Sequence, residues 1–320
     1  MTTADAASAP RHEPVMVREV IDGLAVHPGG RYIDATVGLG GHAEAILDAA
    51  RPDGALLGID LDPHALAIAG DRLAPFGDGV VLVRGHHREI AEIAREHGFE
   101  DVGGVLFDLG VSSLQLDAPG RGFSFQRDEP LDMRMDPDAD LTAATIVNEY
   151  EEAELADIIR RYGEERRARA IARAIVARRP LHTTGDLVRA VEQAAGRGRE
   201  RHHHPATLTF QALRIAVNRE TDFLADTLSA ACSLLGGAGA RIAVLAFHSL
   251  EDRVVKEHFR RESSDCICPP RLPVCVCDHV ATLRRVTRRV RKPGADEVAR
   301  NPRARSARLR VAEALGEAAA

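Results

Sequence analysis

Four short apolar runs alternating with helical patterns constrain this chain more than any other feature: Tyr32 to Thr36, Ala55 to Asp60, Val80 to Arg84 and Val105 to Asp108. Parallel neighbours need a crossover helix between them, so this βαβα rhythm points to a parallel, doubly wound sheet. The rhythm then stops. The next buried strand is Arg241 to Phe247, behind the turn Gly236-Gly237-Ala238-Gly239, and 130 residues separate Gly110 from Arg241. That is too many for a loop in a compact domain. They read as helices at Glu149 to Tyr162, Glu164 to Arg178, Thr184 to Ala195 and Thr207 to Leu235. The expected organisation is a sheet domain over residues 1–113 and 214–320, with residues 114–213 inserted as an all-helical substrate-recognition domain. A hairpin-like pair at Arg284 to Arg291 and Ala307 to Ala312 would close the sheet.

The first strand runs into Gly38-Leu39-Gly40-Gly41-His42 and then the helix pattern Ala43-Glu44-Ala45-Ile46-Leu47. Glycines there allow close backbone approach to a ligand, and the start of a helix presents unpaired N–H groups. Twenty residues past Gly40, the second strand ends in Asp60, placed to accept hydrogen bonds from ribose hydroxyls. The loop also satisfies G-x-G-x-x-A, which keeps a nicotinamide dinucleotide in play. Two features favour S-adenosylmethionine. Asp34-Ala35-Thr36 and His42 flank the loop with polar groups suited to an amino acid rather than a pyrophosphate. The fourth strand ends in Asp108 and enters Leu109-Gly110-Val111-Ser112-Ser113, a polar rim where ligands bind in open α/β folds.

Net charge is −6, yet arginine is concentrated in two segments. Arg160 to Arg179 holds eight arginines against Glu164 and Glu165, and Arg284 to Arg310 holds eleven basic residues against Asp296 and Glu297. Such segments suit a polyanionic partner, or solvated helix faces. On a helical projection Ala168, Ile171, Ala172 and Ile175 share one face, with Arg166, Arg169 and Arg173 opposite. The first ten residues are small and polar, which argues against a signal peptide. No apolar run approaches the roughly 20 residues that a bilayer crossing requires. A cytoplasmic protein with no membrane partner is expected; monomer and homodimer both remain open.

Cys266, Cys268, Cys275 and Cys277 form two C-x-C pairs across Pro269-Pro270-Arg271-Leu272-Pro273. In a reducing cytosol clustered thiols favour a structural zinc over disulfides, but the spacing is not the common C-x-x-C, so the metal stays open. Cys232 reads as a core residue. His202-His203-His204 follows Gly196-Arg197-Gly198-Arg199 and reads as a solvated loop. His248 with Ser249, Glu251 and Asp252 follows the fifth strand; without a G-x-S-x-G elbow it suits positioning better than an acyl-enzyme.

Taken together, His12-Glu13-Pro14-Val15-Met16, the Asp34 to His42 loop, Asp108 to Ser113, Arg121 to Phe125, Leu131 to Asp136, Tyr162 to Arg166, His204 to Thr207, Phe247 to Arg253 and Asn301 to Ser306 resemble the ribosomal RNA small subunit methyltransferase H family. The resemblance spans nearly the whole chain. It implies a Rossmann-like class I methyltransferase sheet with an inserted helical domain. It also implies an enzyme that uses S-adenosylmethionine to methylate the N4 amine of a cytidine in the decoding region of small-subunit rRNA, free or in the 30S particle. By position, the family's cofactor residues fall at Gly40, Gly41, His42, Asp60, His87, Asp108 and Gln115. His87 stands where an aromatic would be expected. Many amine methyltransferases carry an Asp/Asn-Pro-Pro-aromatic turn after the fourth strand. Asp108 to Ser113 has no prolines, so the acceptor for the amine is unassigned between Ser112 and the loop carbonyls. The rival classes are a nicotinamide oxidoreductase and a non-catalytic RNA-binding assembly factor.

Overall fold

The computed structural model describes residues 14–195, 204–269, 272 and 274–316. The chain divides into two compact units, one running to Leu109 and resuming at Asp226, the other spanning Gly110–Ala225. The sequence pattern sets those limits at 114 and 213.

In chain order the first unit opens with α1 (Val17–Leu24), β1 (Arg31–Asp34), α2 (Gly41–Ala49), β2 (Ala55–Asp60), α3 (Pro63–Leu73), β3 (Val80–Arg84), α4 (Ile90–Glu96) and β4 (Gly104–Asp108). The helical unit contributes α5 (Ser113–Asp117), α6 (Ala143–Glu149), α7 (Glu152–Gly163), α8 (Ala168–Val176), α9 (Thr184–Ala195) and α10 (Thr207–Asn218). Then follow α11 (Leu224–Cys232), β5 (Arg241–Ala246), α12 (Ser249–Glu262), β6 (Leu283–Arg285), α13 (Ala295–Arg300) and β7 (Arg308–Ala314).

The strands form one sheet in the order β3-β2-β1-β4-β5-β7-β6, with β1 to β5 parallel and β7 antiparallel to both its neighbours. The chain leaves β1 toward β2 and β3 and later returns on its other side at β4. The crevice at the carboxyl ends of β1 and β4 is therefore the switch point where ligands bind in such sheets. The middle of β2, Leu56 to Ile59, is wholly buried, as expected of a strand covered on both faces. One apolar core joins Val20, Leu24, Ile46, Leu47, Leu106, Leu245 and Val311 around the sheet. The C-terminal strand expected at Arg284 to Arg291 shortens to Leu283–Arg285, with Arg291 meeting Leu309 in an isolated bridge.

The helical unit has its own core, including Phe123, Met133, Ile146, Leu155, Ile159, Ile171, Ile175, Leu187, Phe210 and Leu213. The stripe Ala168, Ile171, Ala172 and Ile175 is buried, and Arg166, Arg169 and Arg173 are exposed. The helix expected at Glu149 to Tyr162 forms as α7 but starts at Glu152, because Tyr150 is extended and a capping box, in which Glu154 accepts from the Glu151 N–H, opens it. One expected helix is broken instead. Thr207 to Leu235 is divided at Arg219, which takes a left-handed φ of 52°. Glu220, immediately after it, receives both Arg214 Nε and Nη2 at 2.8 Å, so the local pair stabilises the stop.

Several family motifs prove to be the scaffold of this unit. Arg121 donates to the carbonyls of Arg134 and Met135, and Asn218 clamps the same segment by accepting from Met135 N and donating to Met133 O, both at 2.7 Å. At Gly163 an added Cβ would lie 2.6 Å from Leu208 O, so only glycine lets α7 and α10 approach there.

Candidate cofactor site

β1 delivers Asp34, β2 delivers Asp60 and β4 delivers Asp108 to the carboxyl edge of the sheet, and the turn from β1 to α2 runs among them. Asp34 is buried and accepts from Thr36 N at 3.2 Å. Thr36 Oγ1 in turn accepts from Asp108 N at 2.6 Å, which couples the ends of β1 and β4. Asp60 spreads its carboxylate over two backbone donors, Gly38 N at 2.8 Å and Asp62 N at 2.9 Å. Asp62 then caps α3 by accepting from His64 N.

His42 sits inside this ring of acids. Its Nε2 lies 2.8 Å from Val15 O and its Nδ1 3.3 Å from Asp108 Oδ2. A carbonyl only accepts, so Nε2 carries a proton; Nδ1 faces a carboxylate, so a second proton joins that pair. Burial pushes the imidazole pKa down, but the hydrogen bond and charge of Asp108 reverse this and leave it raised. Burial also raises Asp60, and it pushes Asp34 up to about 7 despite the neighbouring imidazole and the Thr36 N–H. Buried Asp34 and half-buried Asp60 and Asp108 thus gather around one histidine. Asp108 Oδ1 is fully buried with no hydrogen-bond partner among the described residues. A site with an unpaired buried acceptor and acids raised by desolvation suits a ligand that brings a cation.

The loop glycines divide into two kinds. Gly38 has φ 50° and nothing nearer than 3.8 Å to a Cβ, so it keeps the turn open. Gly40, at φ 78°, backs onto Ala69 and Leu73 at 3.4 Å, and at Gly41 a Cβ would lie 2.9 Å from Pro14. Gly40 and Gly41 thus seat the loop on α3 and on the N-terminal segment. The first helical bond of α2 here is Glu44 N to Gly40 O, which leaves the N–H groups of Gly41, His42 and Ala43 at the helix start, where an anionic ligand group is favoured. His87 follows β3 and lies edge-on to Phe107 of β4, centroids 6.1 Å apart.

Gln115 and Ser112 belong to the helical unit and serve each other. Ser112 Oγ accepts from Gln115 N at 3.2 Å and Gln115 Oε1 accepts from Ser112 N at 3.0 Å, a capping box at the start of α5. Ser112 is thereby accounted for as a helix cap. His248 caps α12 likewise: its Nδ1 accepts from Glu251 N, its Nε2 lies 3.0 Å from Glu251 Oε1, and Asp252 pairs with Arg308 and Arg310. His248 is thus held by Glu251 of the helix it caps, which suits the positioning role.

His204 is exposed in an irregular segment, as expected, and it also stacks on Phe125 at 4.7 Å and lies 3.4 Å from Glu192; His202, His203 and residues 196–201 fall outside the described residues. The C-terminal basic segment is partly spent internally, with Arg284 on Glu313 as well as the two arginines on Asp252. In the other arginine-rich segment, Arg160 and Arg161 pair with Asp157, Arg178 with Gln193, and Arg179 with the carbonyls of Val147 and Tyr150. The sequence pattern does not single out the Val15 to His42 link; its trace is the apolar segment Pro14-Val15-Met16 placed before the sheet begins.

This constellation can be compared with known proteins. Residues 9–315 match the MraW methylase family. The chain belongs to that family. It is 53% identical over 306 residues to a protein of Dehalococcoides mccartyi, covering 96% of this chain and 87% of the relative. It is 52% identical over 307 residues to one of Thermomicrobium roseum, covering 95% and 94%. The identity is 52% over 308 residues to one of Geobacter sulfurreducens, covering 95% and 99%. All three relatives are named ribosomal RNA small subunit methyltransferase H. Like its family, this MraW methylase is an S-adenosylmethionine-dependent methyltransferase, built on the Rossmann-like sheet described above. The nicotinamide reading of the glycine loop falls accordingly.

Proposed function

We propose that this methylase acts in the cytoplasm on small-subunit ribosomal RNA, transferring a methyl group to the N4 amine of a cytidine in the decoding region. The observation that carries the reading is the near full-length identity to proteins named for that rRNA activity, together with the acid-lined switch point that suits a sulfonium amino acid. Among the described residues no helix is long and apolar enough to cross a membrane.

When bound, S-adenosylmethionine supplies an activated methyl on sulfur. The geometry supports the following residues as those that would hold it. Asp60 keeps acceptor capacity for ribose hydroxyls, and its hold on Gly38 N fixes the loop beneath them. Asp34 and the buried Oδ1 of Asp108 would receive the ammonium. The N–H groups at Gly41 and His42, with Gly40 shaping their turn, would receive the carboxylate. His87 would border the adenine. Gln115 stands as a cofactor residue on the family resemblance alone. The cytidine amine is a poor nucleophile because its lone pair is delocalised into the ring, so orientation and acceptors on its hydrogens supply most of the catalysis. With Ser112 engaged as a helix cap, the carbonyls after β4 are the stronger candidates for that acceptor.

The deciding experiment incubates the protein with labelled S-adenosylmethionine and small subunits lacking the modification, then digests the RNA and identifies the nucleoside by mass spectrometry. Label on N4 of cytidine is expected. Label on carbon 5 or on ribose would overturn amine specificity, and no label on subunits or naked rRNA would favour the assembly factor.

The exposed face of α8 is the proposed RNA contact. Among the described residues Arg173 makes a solvent-exposed pair, 3.8 Å from Glu152, which is worth little. Replacing Arg166, Arg169 and Arg173 by Ala is expected to weaken RNA binding and to flatten its salt dependence by a slope of roughly 0.7 to 0.9 for each phosphate that is no longer neutralised. An unchanged slope would assign these arginines to a merely solvated surface.

A further inference from the structure

Between α12 and β6 the chain runs from Glu262 to Leu283 with no regular structure among the described residues, and nothing in the methylation chemistry uses it. The base of this connection is pinned: Thr282 N donates to Glu262 O at 2.9 Å, and His279 Nε2 lies 3.0 Å from Arg261 O. Its outer part has no core. Val274, Val276 and Val280 are 69%, 71% and 65% exposed, so burial of apolar surface does not specify its conformation.

Four sulfurs converge there instead. Cys275 Sγ lies 3.4 Å from Cys266, 3.6 Å from Cys277 and 4.0 Å from Cys268, and Cys277 lies 3.9 Å from Cys266. All four lie within 4.8 Å of one another. A zinc–thiolate bond of about 2.3 Å sets the edge of a regular tetrahedron at about 3.8 Å, and the observed separations straddle that edge. A disulfide needs about 2.05 Å, far inside the shortest pair. Neither C-x-C pair lies in a strand, so alternation does not send its two sulfurs to opposite sides. Backbone donors complete the arrangement: Ile267 N points to Cys277 Sγ and Val276 N to Cys268 Sγ, each at 3.4 Å. Such N–H groups stabilise thiolate ligands and fix their orientation.

We propose that Cys266, Cys268, Cys275 and Cys277 bind one zinc ion as a closed tetrathiolate site that organises the α12–β6 connection. Binding forms four Zn–S bonds and releases to solvent the proton of each thiol not already ionised. With four protein ligands no position remains for water or substrate, so the role is structural.

The test is elemental analysis of the full chain purified without added metal, alongside Cys275→Ser. The native chain is expected to carry one zinc, released when a mercurial titrates the thiols, and cobalt exchanged into the site should give the intense visible bands of tetrahedral thiolate coordination. Cys275→Ser should lose the zinc and be cleaved faster by protease between Glu262 and Leu283, while its affinity for S-adenosylmethionine, bound at the other strands, is unchanged. Zinc near zero, no cobalt spectrum and freely titrating thiols in the native chain would overturn the proposal. So would a mass lowered by loss of thiol hydrogens, which would show disulfides.

Discussion

Asp34→Asn is expected to make the protein more stable above pH 7 and poorer at holding its cofactor. Burial raises the Asp34 carboxyl from its ordinary 3.8 to about 7, so the folded protein keeps a proton that the unfolded chain has lost across that interval. The unfolded state then binds fewer protons, and stability falls as pH rises from 3.8 to about 7 before levelling off. At about 1.4 kcal/mol for each pH unit, the penalty in the alkaline plateau is roughly 4 kcal/mol. Asn has nearly the same shape, retains an oxygen for Thr36 N, and never ionises. Urea unfolding at acid and alkaline pH should show the two proteins converging below pH 4 and the variant ahead above pH 7. Parallel pH profiles would show that Asp34 ionises without penalty. Affinity for S-adenosylmethionine should fall by about 10- to 150-fold, equivalent to removing one charge-assisted hydrogen bond of about 1.5–3 kcal/mol. A carboxylate kept at such expense in stability is the pattern of a site shaped for a ligand rather than for the fold.

Asp60→Ala is expected to lose cofactor binding by two routes at once. The hydrogen bond to ribose goes, worth about 1.5–3 kcal/mol. The N–H groups of Gly38 and Asp62 also lose their acceptor, so the loop beneath the ligand and the approach to α3 both loosen. Calorimetry should find no measurable binding, and thermal unfolding should come earlier than in the native chain. Asp60→Asn separates the routes, because one amide oxygen can serve only one of the two donors. It should retain partial affinity and most of the stability. Full affinity in Asp60→Ala would remove this residue from the cofactor site, whatever happened to the melting temperature.

Both variants act on residues whose type and position are legible in the sequence. An acid at the end of an apolar run can be found by reading, and so can the glycine loop twenty residues before Asp60. At Gly40 and Gly41 packing against Ala69, Leu73 and Pro14 is a second reason for the missing Cβ, one that cannot be read, since a missing Cβ looks the same in a sequence whichever neighbour occupies its place. His42 and Asp108 are each visible as polar residues near a ligand edge. Their direct pairing is not, because it joins segments more than sixty residues apart.

The strands of the sheet were readable because burial on both faces leaves an unbroken apolar run, and the buried stripe of α8 because helical spacing repeats within a few residues. The helix stop at Arg219 was not, since the pairing of Arg214 with Glu220 overrides a continuing helical pattern. The strand order, with β7 inserted between β5 and β6, rests on pairing between distant segments. The same holds for the four cysteines. Their number and spacing are properties of the chain, but whether C-x-C pairs converge or diverge depends on the backbone path between them, and the fold turns that path so that all four sulfurs meet.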